Sequence, residues 1–418
     1  MPRSLTIVAI AASYFIFAIL LNSVGTVILQ SINSFDISKP QASVLEGFKD
    51  LSIAAVSFLV ASFIPRIGYK AAMMGALVLV GVLCALMPSI GSFWMIKLLF
   101  AGIGTAFALV KVSVYAIIGQ LTNTTRGHSS LMNTIEGIFM LGVLSGYWIF
   151  SAFIDKNDAS NPQWLTVYYL LALLIAVALL LVFLAPIERE PATHRHANLL
   201  SEFLSMLKLV YQPLVLIFVL SVFLYVLIEQ GIGTWLPTFN QEVLGLPVHV
   251  SIQITSVFAV SLAVGRLLAG AVLRRVNWYP FLNVCLLLMA VLIVVSLPLA
   301  EKVPENSVTS VWHVPFAAML FPLIGLLMAP IYPVLNSVML SALPRYQHAP
   351  MTGLIVVFSA LGGTTGSIIT GLIFDKMGGQ QAFFLSLIPI GLILITLFFF
   401  RRASKSVEIS ATSSSATH

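Results

Sequence analysis

Eight ionisable residues interrupt otherwise apolar stretches: Glu46, Lys49, Asp50, Lys97, Lys111, Glu136, Glu229 and Arg266. Four are acidic and four basic, so full pairing is arithmetically open. A charge facing lipid near the bilayer centre costs at least ~2.5–3.5 kcal/mol, so each needs a protein partner or a watery cavity. Glu46, Lys49 and Asp50 stand at i, i+3 and i+4 and share one helix face. One lysine compensates two carboxylates only in part, and a buried surplus carboxylate favours its protonated form. That is the chemistry of a group that loads and unloads a proton, with Asp50 the first candidate and Glu46 the second. The alternative is a static gate network near the outer membrane face. Lys111 and Glu136 lie at matching depths on neighbouring spans, ~12–14 Å from one face at 1.5 Å per residue. That spacing predicts an ion pair, either static or broken when substrate or a proton arrives. Glu229 stands beside Tyr225, Gln230 and Trp235, and Gly231, Gly233 and Pro237 follow it. Carboxylate, amide and aromatic ring together suit a polyhydroxylated ligand, and the glycines and proline predict a broken outer helix end. Arg266 is expected to pair with Glu136. Tyr332 and Asn336 flank an inner kink of a span that holds Pro315, Pro322, Pro330 and Pro333 and can reach a ligand. Asn22, Thr26 and Gln30, at i, i+4 and i+8, form one polar stripe that either lines the ligand site or bonds helix to helix.

These residues need a scaffold that holds charge inside a membrane. The 418-residue chain is 59% hydrophobic and 9% charged, with a mean hydropathy of +1.03. Soluble domains carry about 25% charged residues, so the expected class is an all-α polytopic membrane protein. Twelve spans are expected near 5–30, 41–64, 71–89, 92–120, 128–154, 164–187, 207–235, 250–274, 279–299, 313–342, 349–374 and 380–400. They divide into an amino-terminal six-helix bundle (1–187), a polar linker (188–206), a carboxy-terminal six-helix bundle (207–402) and a Ser-, Ala- and Thr-rich disordered tail (403–418). Thirteen lysines and arginines fall on one membrane side and four on the other. That bias places both termini in the cytoplasm and the protein in a plasma or inner membrane. It also removes the nucleic-acid reading of the +6 net charge. The first span is too long and too polar for a cleaved leader. Cys84 and Cys285 lie mid-span and read as apolar core residues, not as a disulfide framework. Trp94, Trp164, Trp235, Trp278 and Trp312 fall near span ends and read as interface anchors.

The chain repeats itself. LGVLSGYWIFSAFID at 141–155 returns as LGGTTGSIITGLIFD at 361–375, a displacement of 220 residues that aligns Gly142 with Gly362, Gly146 with Gly366 and Asp155 with Asp375. ASFIPR at 61–66 returns more weakly as GAVLRR at 270–275, displaced by 209. Nearly equal offsets suggest a duplicated six-helix unit, and glycine at i and i+4 gives a helix a smooth face for close approach. Two six-helix halves, a polar linker and these repeats resemble the major facilitator superfamily over residues 1–402. Its loop between the second and third helices, of the type Gly-x-x-x-Asp-Arg-x-Gly-Arg-Arg, corresponds here to Ala61–Lys70. Arg66, Gly68 and Lys70 match, whereas Ala61 and Pro65 replace the glycine and aspartate, which removes the acidic member of the usual latch. Lys97–Gly104 looks like the family's fourth-helix motif with lysine for arginine. Glu229–Phe239 (EQGIGTWLPTF) and Ser261–Arg266 (SLAVGR) look like the fucose–proton symporter and related sugar permeases.

The resemblance implies two pseudo-symmetric bundles, alternating access and a substrate site between the halves at mid-membrane, with the fourth helix lining the cavity and Lys111 facing substrate. The leading expectation is a secondary active transporter, a monomer driven by a proton gradient and needing no cofactor, that moves a sugar-like polar solute. Transport of an anionic metabolite or siderophore, with Lys111 and Lys49 as counter-charges, comes second, and drug efflux third. A sensor or scaffold of the same fold is the non-transport alternative, disfavoured because buried charges cost stability. The sequence holds no Gly-x-x-x-x-Gly-Lys-Ser/Thr run, His-Glu-x-x-His or Gly-x-Ser-x-Gly motif, so nucleotide hydrolysis and these hydrolase chemistries are not expected.

Overall fold

The computed structural model describes residues 2–122, 124–187, 204, 206–300, 308, 310–314, 316–344 and 347–415. The expected linker at 188–206 falls almost wholly outside them. The chain is helical, with no strand among the described residues. Its α-helices are α1 (Pro2–Asn22), α2 (Val24–Phe35), α3 (Lys39–Ile67), α4 (Tyr69–Ile90), α5 (Phe93–Leu121), α6 (Thr125–Ala152) and α7 (Val167–Leu184). There follow α8 (Pro213–Glu242), α9 (Val248–Val272), α10 (Trp278–Ser296), the short α11 (Phe316–Leu320), α12 (Ile324–Met328), α13 (Ile331–Ala342), α14 (His348–Met377), the short α15 (Gly379–Phe384) and α16 (Leu387–Ser415). Eleven helical stretches among the described residues are long and apolar enough to cross a membrane. Helix α3 has the length of a twelfth and carries Glu46, Lys49 and Asp50 in its amino-terminal half. With α3 counted, the described residues hold twelve stretches of spanning length, and the protein is a multi-pass membrane protein. It divides into two compact units, Met1–Ala197 with Pro247–Ser256, and Asn198–Leu246 with Val257–His418.

Each unit is built on the same glycine contacts. In the first, Gly142 of α6 lies against α1 so closely that a Cβ there would stand 2.4 Å from the Phe15 carbonyl oxygen. Gly146, one turn on, rests against Ile19. In the second, Gly362 of α14 meets the Phe223 carbonyl of α8 at the same 2.4 Å, and Gly366 meets that of Leu227. The duplicated LGxxxG segment is thus one helix–helix seam used twice. A second seam also repeats. Gly104 of α5 sits on the Lys49 carbonyl of α3, and Gly325 of α12 sits on the Phe258 carbonyl of α9. Without a hydrophobic drive between helices in lipid, such close backbone approach supplies the van der Waals contact that holds them.

Other expectations change on inspection. The first span is two helices, α1 and α2, parted at Ser23. Asn22 bonds back to the Ala18 carbonyl at 2.9 Å and Ser23 to that of Leu20 at 2.8 Å, and adjacent polar side chains of this kind compete with the helical ladder. The seventh span does not break after Glu229. Helix α8 runs unbroken through Gly231, Gly233 and Pro237 to Glu242. Its glycines serve packing: Gly231 faces Thr370 and Gly366, and Gly233 faces Phe258. The tenth span is segmented, with a 3₁₀ turn at Phe321–Leu323 and a break at Ala329–Pro330, as its prolines imply. The tail expected to be disordered from 403 continues α16 as helix to Ser415. Trp164 and Trp235 are buried and are not interface anchors. Trp164 donates to Ser34 at 3.1 Å. Trp94 and Trp312 are exposed, as anchors should be. Lys70 donates to the Phe183 and Ala185 carbonyls at 2.8 Å and caps the end of α7. Asp155, just beyond α6, accepts from the Asn157 backbone N–H at 2.9 Å and the Asn161 amide at 2.8 Å, which hold its carboxyl below the usual range.

The seams make a direct prediction. Gly142→Ala or Gly362→Ala forces backbone apart and should cost ~1–3 kcal/mol, lowering the thermal unfolding temperature in detergent. Gly75→Ala in α4, where no atom lies within 4 Å of the added Cβ, should be neutral or stabilising. Equal behaviour of all three variants would contradict the seam account.

Candidate substrate and proton sites

The acidic–basic triad of α3 forms as its spacing implies. Lys49 Nζ bonds Glu46 Oε1 and lies 3.5 Å from Asp50 Oδ1. Glu46 and Lys49 are buried and Asp50 is partly exposed. The Lys49 backbone is fixed against Gly104, so the seam that binds α3 to α5 also sets the position of the charges. Tyr147 of α6 is close enough to feel the Lys49 charge.

The expected Lys111–Glu136 ion pair is absent. Glu136 Oε1 instead accepts from the Tyr115 hydroxyl at 2.8 Å and the Tyr14 hydroxyl at 3.5 Å. Lys111 Nζ lies 5.8 Å from the centre of the Phe107 ring and 5.9 Å from that of Tyr115, and its side chain is exposed. Position explains the outcome. Tyr115 follows Lys111 by one turn of α5 and presents its hydroxyl to the carboxylate while its ring faces the ammonium. Tyr14, Phe107 and Phe139 close the cluster at ring separations of 5.2–6.1 Å. Glu136 is held by the two tyrosines of its own unit. Arg266, its other expected partner, belongs to the second unit and makes no ion pair within it among the described residues.

In the second unit, the Tyr225 hydroxyl donates to Glu229 Oε1 at 3.1 Å. The Tyr225 ring stacks on Tyr332 at 5.8 Å, and Tyr332 hydroxyl bonds Ser359 Oγ at 3.2 Å. Arg266 is near enough to influence both tyrosines electrostatically. The buried Asn336 Oδ1 has no hydrogen-bond partner among the described residues. Gln230 Oε1 accepts from Thr234 at 3.3 Å. Trp235 is fully buried, donates to the Ser367 carbonyl at 3.0 Å and packs on Phe374, which joins α8 to α14. The stripe Asn22–Thr26–Gln30 is divided by the break at Ser23. Asn22 is exposed, whereas Thr26 and Gln30 are buried, and Gln30 Nε2 has no partner among the described residues. The sequence reading missed Tyr14, Tyr115 and Ser359. Only Tyr115, one turn from Lys111, carried a signal in its spacing.

The repeated seams supply an internal alignment. Superposing Gly104 on Gly325 and Lys49 on Phe258 sets Glu46 against Thr255, Asp50 against Ala259, Lys111 against Tyr332 and Tyr115 against Asn336. Superposing Gly142 on Gly362 and Phe15 on Phe223 sets Glu136 against Val356 and Glu229 against Leu21. Each of these charged residues has an uncharged counterpart in the other unit.

The family's sequence profile, Major Facilitator Superfamily, matches residues 8–345. The chain belongs to the major facilitator superfamily. Similar solved structures cover nearly all of it at low identity. A bacterial homolog to the human lysosomal transporter Spinster, inward-facing and unoccupied, shares 13% identity at a TM-score of 0.77, covering 97% of this chain and 98% of that one. The nucleoside transporter NupG shares 15% at 0.72, covering 95% and 99%. The E. coli fucose:proton symporter shares 16% at 0.61, covering 96% and 99%. No curated protein matches the sequence. At such identities the structures establish the fold. The superfamily assignment makes the chain a transporter.

The tyrosine clamp on Glu136 is testable by double-mutant cycle. Tyr115→Phe and Glu136→Gln should be non-additive in thermal stability, with coupling on the order of 1 kcal/mol or more, since hydrogen bonds to charged groups are the strong ones. Lys111→Gln with Glu136→Gln should couple more weakly. The reverse order would restore the ion pair and remove the clamp.

Proposed function

We propose that the chain is a proton-driven secondary active transporter that moves a small, polar, sugar-like solute by alternating access. The reading rests foremost on charges that have uncharged counterparts in the other unit. Placing them in a bilayer is costly, and function is the gain that offsets it. The triad sets two carboxylates beside one ammonium within a membrane-spanning helix, and carboxylates are groups that can take up a proton. In the second unit, Glu229, Tyr225, Tyr332, Ser359 and Asn336 present carboxylate, hydroxyl and amide groups of the kind that hydrogen-bond a polyhydroxylated ligand. An anionic metabolite is the second reading. It draws support from Lys111 and Arg266, neither of which forms an ion pair among the described residues, whereas Lys49 is already held by two carboxylates. The proposal includes a plasma or inner membrane location with both termini cytoplasmic, a monomeric chain, and protons as the only co-substrate, with no cofactor.

Thermal-shift screening of purified protein against polar metabolites identifies the solute. In proteoliposomes, an inward proton gradient should then accelerate uptake, and a protonophore should abolish accumulation. Glu229→Gln keeps the shape of the side chain and removes its charge. If Glu229 couples, the variant should lose uphill accumulation and keep exchange without a gradient. If it only contacts substrate, binding itself should fail. Sodium-dependent accumulation indifferent to pH would falsify the proton reading.

A further inference from the structure

Four arginines stand at one end of the second unit, away from every group considered so far. Arg274 and Arg275 follow α9, and Arg401 and Arg402 lie in α16. All four are exposed, and none makes an ion pair among the described residues. Arg401 is held in place by its guanidinium, which lies 4.3 Å from the centre of the Tyr279 ring. Trp278 meets Tyr279 edge-on at 5.7 Å and Phe400 at 5.9 Å. This aromatic bracket joins the start of α10 to α16. Arg275 precedes Tyr279 by four residues, so the chain keeps it within ~14 Å of the bracket.

The same two helices expose apolar stripes that begin at the bracket. Val284, Leu287 and Val291 of α10 and Ile395 and Phe399 of α16 are each about half exposed. On each helix these residues recur at intervals of three or four, so they form one face. An amphiphile with an anionic head and hydrocarbon tails matches this arrangement. Guanidinium forks match phosphate oxygens bidentately, Trp and Tyr favour the depth of headgroups, and the stripes offer surface to acyl chains.

We propose that this end of the second unit is a binding site for an anionic phospholipid. Arg274, Arg275, Arg401 and Arg402 hold the headgroup phosphate, Tyr279 orients Arg401, and the faces of α10 and α16 carry the tails. Four like charges on one short perimeter repel one another, and a bound phosphate relieves that repulsion. The site is independent of the transported solute and of the coupling ion.

The test uses the full-length protein in detergent, followed by native mass spectrometry and thermal unfolding, with phosphatidylglycerol, phosphatidylcholine or inorganic phosphate added. Wild type should retain phosphatidylglycerol and unfold at a higher temperature with it, and should gain little from phosphatidylcholine or inorganic phosphate. An arginine facing an anionic headgroup is worth about fivefold in affinity. Arg401→Gln with Arg402→Gln should therefore weaken phosphatidylglycerol retention on the order of twentyfold, and adding Arg274→Gln and Arg275→Gln should abolish it. Lysine at the same four positions should bind less tightly than arginine but recover the charge-dependent part of the retention that glutamine loses, which separates charge loss from misfolding. Tyr279→Leu should weaken binding with all four arginines present. Equal stabilisation by phosphatidylcholine would overturn the headgroup assignment. Equal stabilisation by inorganic phosphate would overturn the lipid. Glutamine variants that keep phosphatidylglycerol, or that change only the oligomeric mass, would overturn the site.

Discussion

The Lys49 residue joins the two constraints on which this protein depends. Its backbone carbonyl lies where any side chain on Gly104 would collide, and its ammonium lies between the Glu46 and Asp50 carboxylates. The first contact is a packing requirement, because helices in lipid adhere only where backbones approach closely. The second is an electrostatic requirement, because removing one partner from a buried ion pair costs several kcal/mol. One helix seam therefore also sets the backbone position from which the charge cluster projects. The equivalent seam of the second unit makes the same approach with Gly325 and Phe258, and no charge is present there.

Duplication followed by local divergence accounts for much of the molecule. The seams of α1 with α6 and of α8 with α14 repeat nearly to the ångström, as do those of α3 with α5 and of α9 with α12. Onto that common frame each unit places different chemistry. The first holds a lysine between carboxylates and a glutamate between tyrosines. The second holds a glutamate on a tyrosine, stacked on a second tyrosine that bonds a serine. The repeated parts are backbone seams, and the parts that differ carry the charged and hydroxyl side chains.

What could be read in the sequence followed the range of the interaction. The triad was legible because its three members lie within five residues on one helix. The LGxxxG seam was legible because it occurs twice. The Glu136 clamp was not, because Tyr14 lies 122 residues away and no local pattern announces it. The glycines at 231 and 233, followed by Pro237, carried an ambiguous signal. Glycine marks either a hinge or a close contact, and only the presence of Thr370, Gly366 and Phe258 decides for contact. Trp235 misled for a related reason. An aromatic beside a carboxylate suits a ligand, but its indole N–H already has Ser367 as partner. The break at Ser23 had a local cause, two adjacent polar side chains, yet hydropathy alone ran the span through it.

The central claim is that the triad serves coupling and not folding. The most direct measurement replaces it with the residues the second unit uses at the same positions, Glu46→Thr, Lys49→Phe and Asp50→Ala together. The variant is compared with wild type for proton-driven accumulation and gradient-free exchange of the identified solute. The account predicts a folded, monodisperse protein that exchanges solute but does not accumulate it against a gradient. A folded variant that accumulates solute as wild type does would contradict it.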